Sequence, residues 1–229
     1  MGKRGPKPMG KIKIKWSSNF AYAIGLLVTD GCLYNDKRHM SLTTKDKEQA
    51  DNFKQCLGLK VKSGLKSRGP SKKKEYYHIQ FGDIIFYNFL VSIGLSQAKS
   101  KIIGAVTIPD KYFFDYLRGC FDGDGTFYSY WDPRWRSSHM FYIEFVSASK
   151  KHIVWLQKEL NDRLRVIGHI TSDGKKSTLQ LKYAKKEAIV IIRNMYYNPR
   201  VKCLSRKKIK IQKALSVERQ QQKKYARVL

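Results

Sequence analysis

The sequence predicts an α+β protein built from two pseudo-symmetric αββαββα units. One observation is a duplicated segment: the runs AIGLLVTDG and LRGCFDGDG are each apolar and helix-like and end in Asp-Gly, at Asp30 and Asp124. The other is the order of the helix-like and strand-like periodicities that follow each run, which is the same in both halves. Because the two acids are separated by about the length of one small α/β unit, we expect an internal duplication.

The charge of the chain indicates its class of partner. There are 46 Lys and Arg against 18 Asp and Glu, a formal net charge of +28. Such self-repulsion disfavours a compact state unless a polyanion binds. The excess is spread along the chain, which favours nucleic acid over a lipid surface. No apolar run is long enough to span a membrane and no secretion signal is present, so we expect an intracellular protein, whether of a bacterial cytoplasm or of an organelle.

The four cysteines are far apart and form no CxxC pair. This spacing argues against a zinc site or a disulfide framework and favours buried free thiols in a reducing compartment.

The first half, residues 17–104, follows a basic arm at 1–16 that has no apolar period. Ser17 is a candidate N-cap for a helix through Thr29. The elements predicted after it are strands at 33–35 and 40–44, a helix at 47–57, strands at 59–67 and 76–81, a helix at 84–93 and the start of another at 96–103.

The second half, residues 105–219, repeats this order, and a polar tail at 220–229 is expected to fray. Its predicted elements are a helix at 111–123, strands at 126–131 and 141–147, a helix at 150–164, strands at 166–171 and 178–183, and helices at 185–197 and from 205 onward.

Strand alternation gives each predicted sheet one core face and one basic, hydrogen-bonding face. A solvated face is the alternative, but two such faces with few acids favour contact with a DNA major groove. Trp131 and Trp135 suit either DNA or their own sheet. The predicted DNA-binding residues are Tyr34, Lys37, Arg38, Lys60, Lys62, Lys66, Arg68, Tyr76, His78, Gln80, Thr126, Tyr128, Tyr130, Arg134, Arg136, His169, Thr171, Thr178, Gln180 and Lys182.

The two Asp-Gly helix ends predict a metal site. A helix C-terminus is partly negative, so an acid there breaks the local rule. One surface Asp before a capping Gly would be unremarkable; two at matching places favour a cation site. Gly25 and Gly119 lie one turn before Thr29 and Gly123, and such small residues let helix backbones approach closely. Asp30 and Asp124, with the carbonyls of Thr29 and Gly123, would then form an all-oxygen site suited to Mg²⁺.

The segment after Cys120 contains a second acid that we do not assign to the paired site. Asp122-Gly123-Asp124-Gly125 resembles the start of a calcium loop. Phe127 stands where that loop needs Gly, however, and Pro133 where it needs Glu, so a calcium loop is rejected. The counterpart of Asp122 in the first half is Val28, which predicts two unequal halves.

Both Asp-Gly segments resemble the LAGLIDADG motif, and over about residues 17–217 the chain resembles a single-chain, two-motif LAGLIDADG homing endonuclease. The resemblance implies a monomer with two saddle-shaped antiparallel sheets on double-stranded DNA and motif helices packed at the central interface. It also implies acids that bind Mg²⁺ or Mn²⁺, two or more ions with the DNA. The implied reaction is double-strand cleavage of a long, pseudo-palindromic site with short 3′ overhangs.

The resemblance further implies one catalytic lysine per half. Lys99 and Lys207 are the matching candidates, with Lys101 and Lys208 as close competitors.

Three functions remain open at this point. The chain is an active endonuclease, an RNA maturase that assists splicing of a host intron, or a catalytically silent DNA-binding protein of the same fold. Because both Asp30 and Asp124 are present, the endonuclease leads.

Overall fold

The computed structural model describes residues 10–68, 74–135, 137–172 and 178–225. Most of the basic arm and Arg136 therefore lie outside the described residues. The first half begins at the N-cap Ser17, whose hydroxyl oxygen accepts a hydrogen bond from the Phe20 N–H at 3.2 Å. Its elements are helix α1 (Ser18–Asp30), strands β1 (Gly31–Leu33) and β2 (His39–Thr44), helix α2 (Lys47–Leu57), strands β3 (Gly64–Arg68) and β4 (Lys74–Gly82), and helix α3 (Ile84–Ser92).

The second half has the same order and one additional helix. Its elements are α4 (Phe113–Asp124), β5 (Thr126–Trp131), β6 (His139–Ser147), α5 (Lys150–Leu164), β7 (His169–Ser172), β8 (Leu179–Ala184), α6 (Lys185–Met195) and α7 (Ser205–Tyr225).

Each half forms one four-stranded antiparallel sheet with the same topology. The strand orders are β1-β2-β4-β3 and β5-β6-β8-β7. Thr43 stands opposite His78 in the first sheet, and Thr126 stands opposite Glu144 in the second. The predicted α+β fold with two αββαββα units is thereby confirmed.

The core lies between the helices and one face of each sheet. Ile79 and Phe81 of β4 and Ile143 of β6 are buried on the core face. Gln80, which lies between Ile79 and Phe81, is exposed on the opposite face. The most extensive contact between described elements joins α1 to α4, so the two motif helices form the central interface.

The structure departs from the predicted elements at several places. Strand β1 covers Gly31–Leu33 rather than 33–35, and β7 begins at His169 rather than at 166. Strand β3 begins at Gly64, so Lys60 and Lys62 lie before the sheet rather than on it. The helix expected at 96–103 is a 3₁₀ turn at Lys99–Lys101, because Ala98 just before it adopts a left-handed φ of 49°.

At the other end of the chain, α7 continues through Tyr225, so the polar tail predicted from 220 begins within a helix. Thr178 precedes β8 instead of opening it. All four cysteines are free thiols; Cys120 and Cys203 are buried as expected, whereas Cys56 is half-buried and Cys32 is exposed. Among the described helices, none is both long and apolar enough to cross a membrane.

Candidate active site

The two motif helices cross at glycines. A Cβ atom on Gly25 would lie 2.2 Å from the Tyr116 carbonyl oxygen, and one on Gly119 would lie 2.2 Å from the Tyr22 carbonyl oxygen. Both neighbours are backbone atoms that cannot turn aside. The crossing is therefore a direct contact between backbones, and it brings the C-terminal ends of α1 and α4 together.

Asp30 and Asp124 are the last residues of these helices and line the same cleft, which has a volume of about 390 Å³. Burial raises the pKa of Asp30 to about 6, and the charge of Asp124 adds to that rise. Burial also raises the pKa of Asp124, while Lys207 and Lys99 oppose the shift. The remaining residues around the cleft are Thr29, Gly31, Cys32, Thr43, Lys66 and Tyr76.

Gln49 is a site residue that sequence reasoning missed. Its side-chain amide donates to the Asp30 carboxylate at 2.6 Å, and its carbonyl oxygen accepts from the Thr44 hydroxyl at 3.0 Å. Gln49 is buried in the first turn of α2. The equivalent position in α5 is His152, whose Nδ1 instead contacts the Gly104 carbonyl at 2.8 Å. The sequence signal that could have identified Gln49 is its position as a polar residue on the buried face of an amphipathic helix.

The two expected lysines lie beside the acids, and both are buried. Lys99 donates to the Gly31 carbonyl, just after the first acid. Burial lowers its pKa, against the attraction of Asp124 and Asp30. Its competitor Lys101 is exposed.

Lys207 is bound more extensively, by the last turn of α4. Its Nζ lies 2.5 Å from the Phe121 carbonyl oxygen, 2.9 Å from that of Asp122 and 2.7 Å from that of Gly125. Burial lowers its pKa to about 8. The competitor Lys208 donates elsewhere, to the Pro199 carbonyl at 2.8 Å.

Thr29 and Gly123 occupy matching positions in the two motifs, but the Thr29 side chain fills the space that a side chain at 123 would need. The Thr29 hydroxyl donates back to the carbonyls of Gly25 and Leu26 at 3.3 and 3.1 Å. A Cβ on Gly123 would lie 1.9 Å from that hydroxyl oxygen. The Gly123 carbonyl, expected as a metal ligand, is also 3.4 Å from the Nζ of Lys207.

The donor set fits a hard divalent cation. Two carboxylates and backbone carbonyls offer only oxygen, which suits Mg²⁺, an ion that keeps waters and uses few protein ligands. No group of three or more His, Cys, Asp or Glu side chains that could hold a metal ion occurs in the described part of the chain. Phosphate oxygens and water would have to complete the coordination.

Asp122 joins the two halves. It is fully buried and accepts hydrogen bonds from the Tyr22 hydroxyl at 2.8 Å and from the Leu204 N–H at 2.7 Å. Burial raises its pKa to about 6. The acid that breaks the symmetry of the motifs therefore lies outside the cleft, as the sequence comparison indicated.

The first sheet presents a face of small and polar groups beside the cleft. Thr43 and His78 are hydrogen-bonded across it, with the hydroxyl oxygen 2.9 Å from Nδ1. The Tyr34 hydroxyl donates to Ser41 at 3.3 Å, and exposed Lys37 and Arg38 form the β1–β2 turn. The register places on this same face Cys32, Ser41, Thr43, Gln80, His78, Tyr76, Lys66 and the backbone position of Arg68.

The second sheet presents an aromatic face. Tyr128, Tyr130 and Tyr142 are stacked, with ring centroids 5.3 to 6.5 Å apart. Tyr142 was missed, although alternation along β6 places it opposite Tyr128. Lys182 is paired with Glu144 at 3.2 Å. Also on this face are Thr126, His169, Thr171 and Gln180.

The β5–β6 loop lies at the far end of this sheet. Arg134 is paired with Asp132 at 3.4 Å. Trp131 packs against His139, with ring centroids 5.0 Å apart, whereas Trp135 is 69% exposed. Trp131 thus packs against its own sheet yet stays 51% exposed, so both tryptophans present surface that a partner could contact.

A protein-family comparison matches residues 17–94 to the LAGLIDADG-like domain. No curated protein sequence matches the chain. The homing endonuclease I-WcaI, solved bound to its DNA recognition sequence, aligns with a TM-score of 0.63 and 14% identity, over 86% of this chain and 88% of that one.

Two further solved structures have the same fold. The I-SmaMI LAGLIDADG homing endonuclease, bound to cleaved DNA, aligns with a TM-score of 0.60 and 14% identity over 92% of each chain. Full-length WhiA from Thermatoga maritima aligns with a TM-score of 0.54 and 14% identity over 80% of this chain, which spans only 57% of WhiA. Residues 17–94 are thus a LAGLIDADG-like domain, and the two halves together have the fold of the single-chain, two-motif LAGLIDADG homing endonucleases.

Proposed function

We propose that the chain is a metal-dependent, site-specific endonuclease that cuts both strands of a long, pseudo-palindromic DNA site and leaves short 3′ overhangs. The observation that carries the proposal is the convergence of Asp30 and Asp124, one from each half, in one cleft at the edge of the polar sheet faces. Since a single chain supplies both acids, it acts as a monomer.

Asp30 and Asp124 would hold Mg²⁺ or Mn²⁺, two or more ions with the DNA, helped by the carbonyls of Thr29 and Gly123. Bound divalent ions supply an activated water and stabilise the leaving oxygen in phosphodiester hydrolysis. Burial raises the pKa of both carboxyls, and the charge of Asp124 adds to the rise at Asp30; a bound cation would relieve both effects.

The side chains around the acids have unequal roles in this proposal. Gln49 holds the Asp30 carboxylate in one orientation. The Lys99 ammonium has three donors and is bonded to one carbonyl, so its remaining N–H groups can meet a phosphate oxygen. Lys207 has its donors on the last turn of α4, so it positions Asp124 by holding that helix end.

The polar faces would bind the two half-sites of the DNA. The first offers Lys66, Tyr76, His78 and Gln80, and the second offers the stacked tyrosines. I-WcaI and I-SmaMI, which share this fold, were solved bound to DNA, which supports double-stranded DNA as the partner. A net charge of +28 predicts affinity that falls steeply with salt.

Selection from a randomised duplex library tests the proposal. Library DNA incubated with the protein and Mg²⁺ should yield one family of cleaved ends with 3′ overhangs, and EDTA should abolish cleavage. Asp30→Asn and Asp124→Asn should each cut at least about 100-fold more slowly while still binding the selected sequence. Lys66→Ala, outside the acid pair, serves as the control for weakened binding with cleavage retained.

Three outcomes contradict the proposal. If either Asn variant cuts at the wild-type rate, the paired-acid mechanism is wrong. If the protein enriches one DNA sequence without cutting it in Mg²⁺ or Mn²⁺, it is a silent DNA-binding protein of this fold. Acid-independent stimulation of intron splicing, with no DNA enriched, would identify a maturase instead.

A further inference from the structure

The outer faces of α2 and α5 are equivalent in the duplication but are covered differently. Both helices follow the second strand of their half, and buried Ala50 and Ile153 occupy matching positions in them. On each helix, three positions spaced by four and then three residues form one stripe. The stripe residues are Glu48, Asn52 and Gln55 on α2, and Lys151, Trp155 and Lys158 on α5.

On α2, a segment of the second half covers the stripe. This covering segment is residues 202–206. Glu48 accepts hydrogen bonds from the Ser205 N–H at 2.9 Å and from its hydroxyl at 2.5 Å. Asn52 is buried and donates to the Cys203 carbonyl at 3.0 Å. The helix face and the covering segment therefore form one packed unit.

Opposite charges join α2 and the covering segment. Arg206 of the covering segment makes a two-pronged contact with Asp46, the residue before α2, at 2.9 and 2.8 Å. Lys202 donates to the Gln55 side chain at 2.7 Å. The acids belong to the helix and the bases to the covering segment, so the first half shows what kind of segment this face accepts.

On α5 the stripe carries the opposite charge and borders an open groove. Lys151 and Lys158 are exposed and flank the half-buried Trp155. Val154 and Ile102 complete an apolar floor and are 45% and 59% exposed. The groove has a volume of about 720 Å³, and its rim is lysine: Lys101, Lys150, Lys151 and Lys158.

The groove lies on the side of the second half that DNA would not occupy. Helix α5 buries Ile153, Leu156 and Leu160 toward the core. Tyr128 and Lys182 lie on the other face of the sheet against which α5 packs. A partner in the groove could therefore bind at the same time as nucleic acid on the sheet.

We propose that this groove is a docking site for an acidic, apolar peptide segment of another protein. The covered stripe on α2 shows that a segment of charge opposite to the helix binds there, and the charge of α5 is reversed. A nucleic acid would meet the lysines but leave the floor of Ile102, Val154 and Trp155 exposed. A second copy of this chain is disfavoured, since it has 18 acidic against 46 basic residues. The exposed ion pair of Lys158 with Asp162, at 2.6 Å, is too weak to prevent an acidic peptide from contacting Lys158.

Binding of synthetic peptides to the full chain tests the proposal. The probe is a fluorescent amphipathic peptide with Leu and Phe on one helical face and Glu beside them. One matched peptide replaces Glu by Lys, and the other replaces Leu and Phe by Ser. The probe should bind at least about tenfold more tightly than either matched peptide, because the groove requires both charge and apolar surface. Random-sequence duplex DNA should not displace it.

Surface variants locate the binding. Lys151→Glu and Val154→Glu should each weaken probe binding by about tenfold. Lys186→Glu makes the same charge change at an exposed position of α6 and should leave binding within about twofold.

Four results overturn the proposal. They are no binding of the probe, equal binding of the Ser peptide, unchanged binding in both groove variants, and displacement by duplex DNA. The second would indicate a plain polyanion attraction, and the last would place the peptide on the nucleic-acid face.

Discussion

At the end of α1, the Asp30 carboxylate accepts a hydrogen bond from Gln49 at 2.6 Å. At the end of α4, no described side chain donates to Asp124. Lys207 instead donates to backbone carbonyls at the end of α4, the helix that carries Asp124. His152, at the place of Gln49, faces the Gly104 carbonyl. The two halves thus present the same acid by different means, one through its carboxylate and the other through its helix end.

The faces of the two sheets differ in the same way. The first carries the hydrogen-bonded pair of Thr43 and His78, and the second carries three stacked tyrosines. The topology and the glycines at the helix crossing are common to both halves. The positions in backbone contact therefore carry the same residue in both halves, whereas the side chains on the polar faces of the two sheets differ.

Substitution of either glycine at the helix crossing should lower the free energy of unfolding by a similar amount. This is the largest effect we expect. Gly25→Ala and Gly119→Ala each place a methyl group 2.2 Å from a backbone oxygen. Each should lower the free energy of unfolding by about 3 kcal/mol or more, since backbone cannot move aside as a side chain can. Urea unfolding measures this.

Gly104→Ala is the matched control for the crossing, because a Cβ there would have no neighbour within 4 Å. Its unfolding free energy should stay within about 0.5 kcal/mol of the parent. A loss from one crossing variant only would show that the helices are not in mutual backbone contact.

Loss of the two buried lysines, Lys99 and Lys207, should lower the free energy of unfolding by different amounts. Lys207→Met leaves three or more backbone carbonyls without their donor and should cost about 2 kcal/mol of unfolding free energy. Lys99→Met loses one such bond and should cost about 1 kcal/mol. Chemical denaturation of both proteins decides the comparison.

Lys208→Met provides the control, since its single bond to Pro199 lies near the surface. Its effect should be within about 0.5 kcal/mol. Equal losses for Lys99→Met and Lys207→Met would refute the unequal support of the two acids.

The smallest effect concerns pH. The pKa of Asp30 is raised to about 6, so the carboxyl is protonated below that pH and cannot bind a cation. Under the proposed function, the Mg²⁺-dependent cleavage rate should rise as pH increases through about 6. Gln49 donates to the carboxylate and so stabilises its ionised form. Gln49→Leu should therefore move the midpoint of the pH–rate profile to higher pH.

Gln55→Leu, on the same helix but bonded to Lys202, should leave that midpoint unchanged. A midpoint in Gln49→Leu that stays in place or moves to lower pH would show that the amide does not stabilise the ionised carboxylate. Rates measured on one cloned target across the pH range distinguish these results.

Much of the fold could be predicted because local patterns and backbone sterics agree with it. The repeat at Asp30 and Asp124, the cap at Ser17 and the alternation in β4 each correspond to an observed feature. The prediction was wrong where a single backbone torsion decided the outcome. Ala98, with a φ of 49°, stops the helix expected at 96–103.

The site could be predicted less completely. Lys99 and Lys207 were candidates among many lysines, and only the fold separates them from Lys101 and Lys208. Gln49 escaped because it is far from Asp30 in sequence and carries no motif. Its role depends on a contact between α2 and the end of α1, which sequence spacing does not encode.

The sequence by itself determined the duplication, the α+β class, the basic character and the paired acids, since each follows from residue identity and local periodicity. Tertiary structure alone decided which lysines lie beside the acids, that Gln49 holds Asp30, and that Asp122 joins the halves through the Tyr22 hydroxyl. The physical reason is that burial and hydrogen bonding between distant segments set the partners and pKa of a side chain. Two residues of the same type, such as Asp122 and Asp124, can therefore take different roles two positions apart.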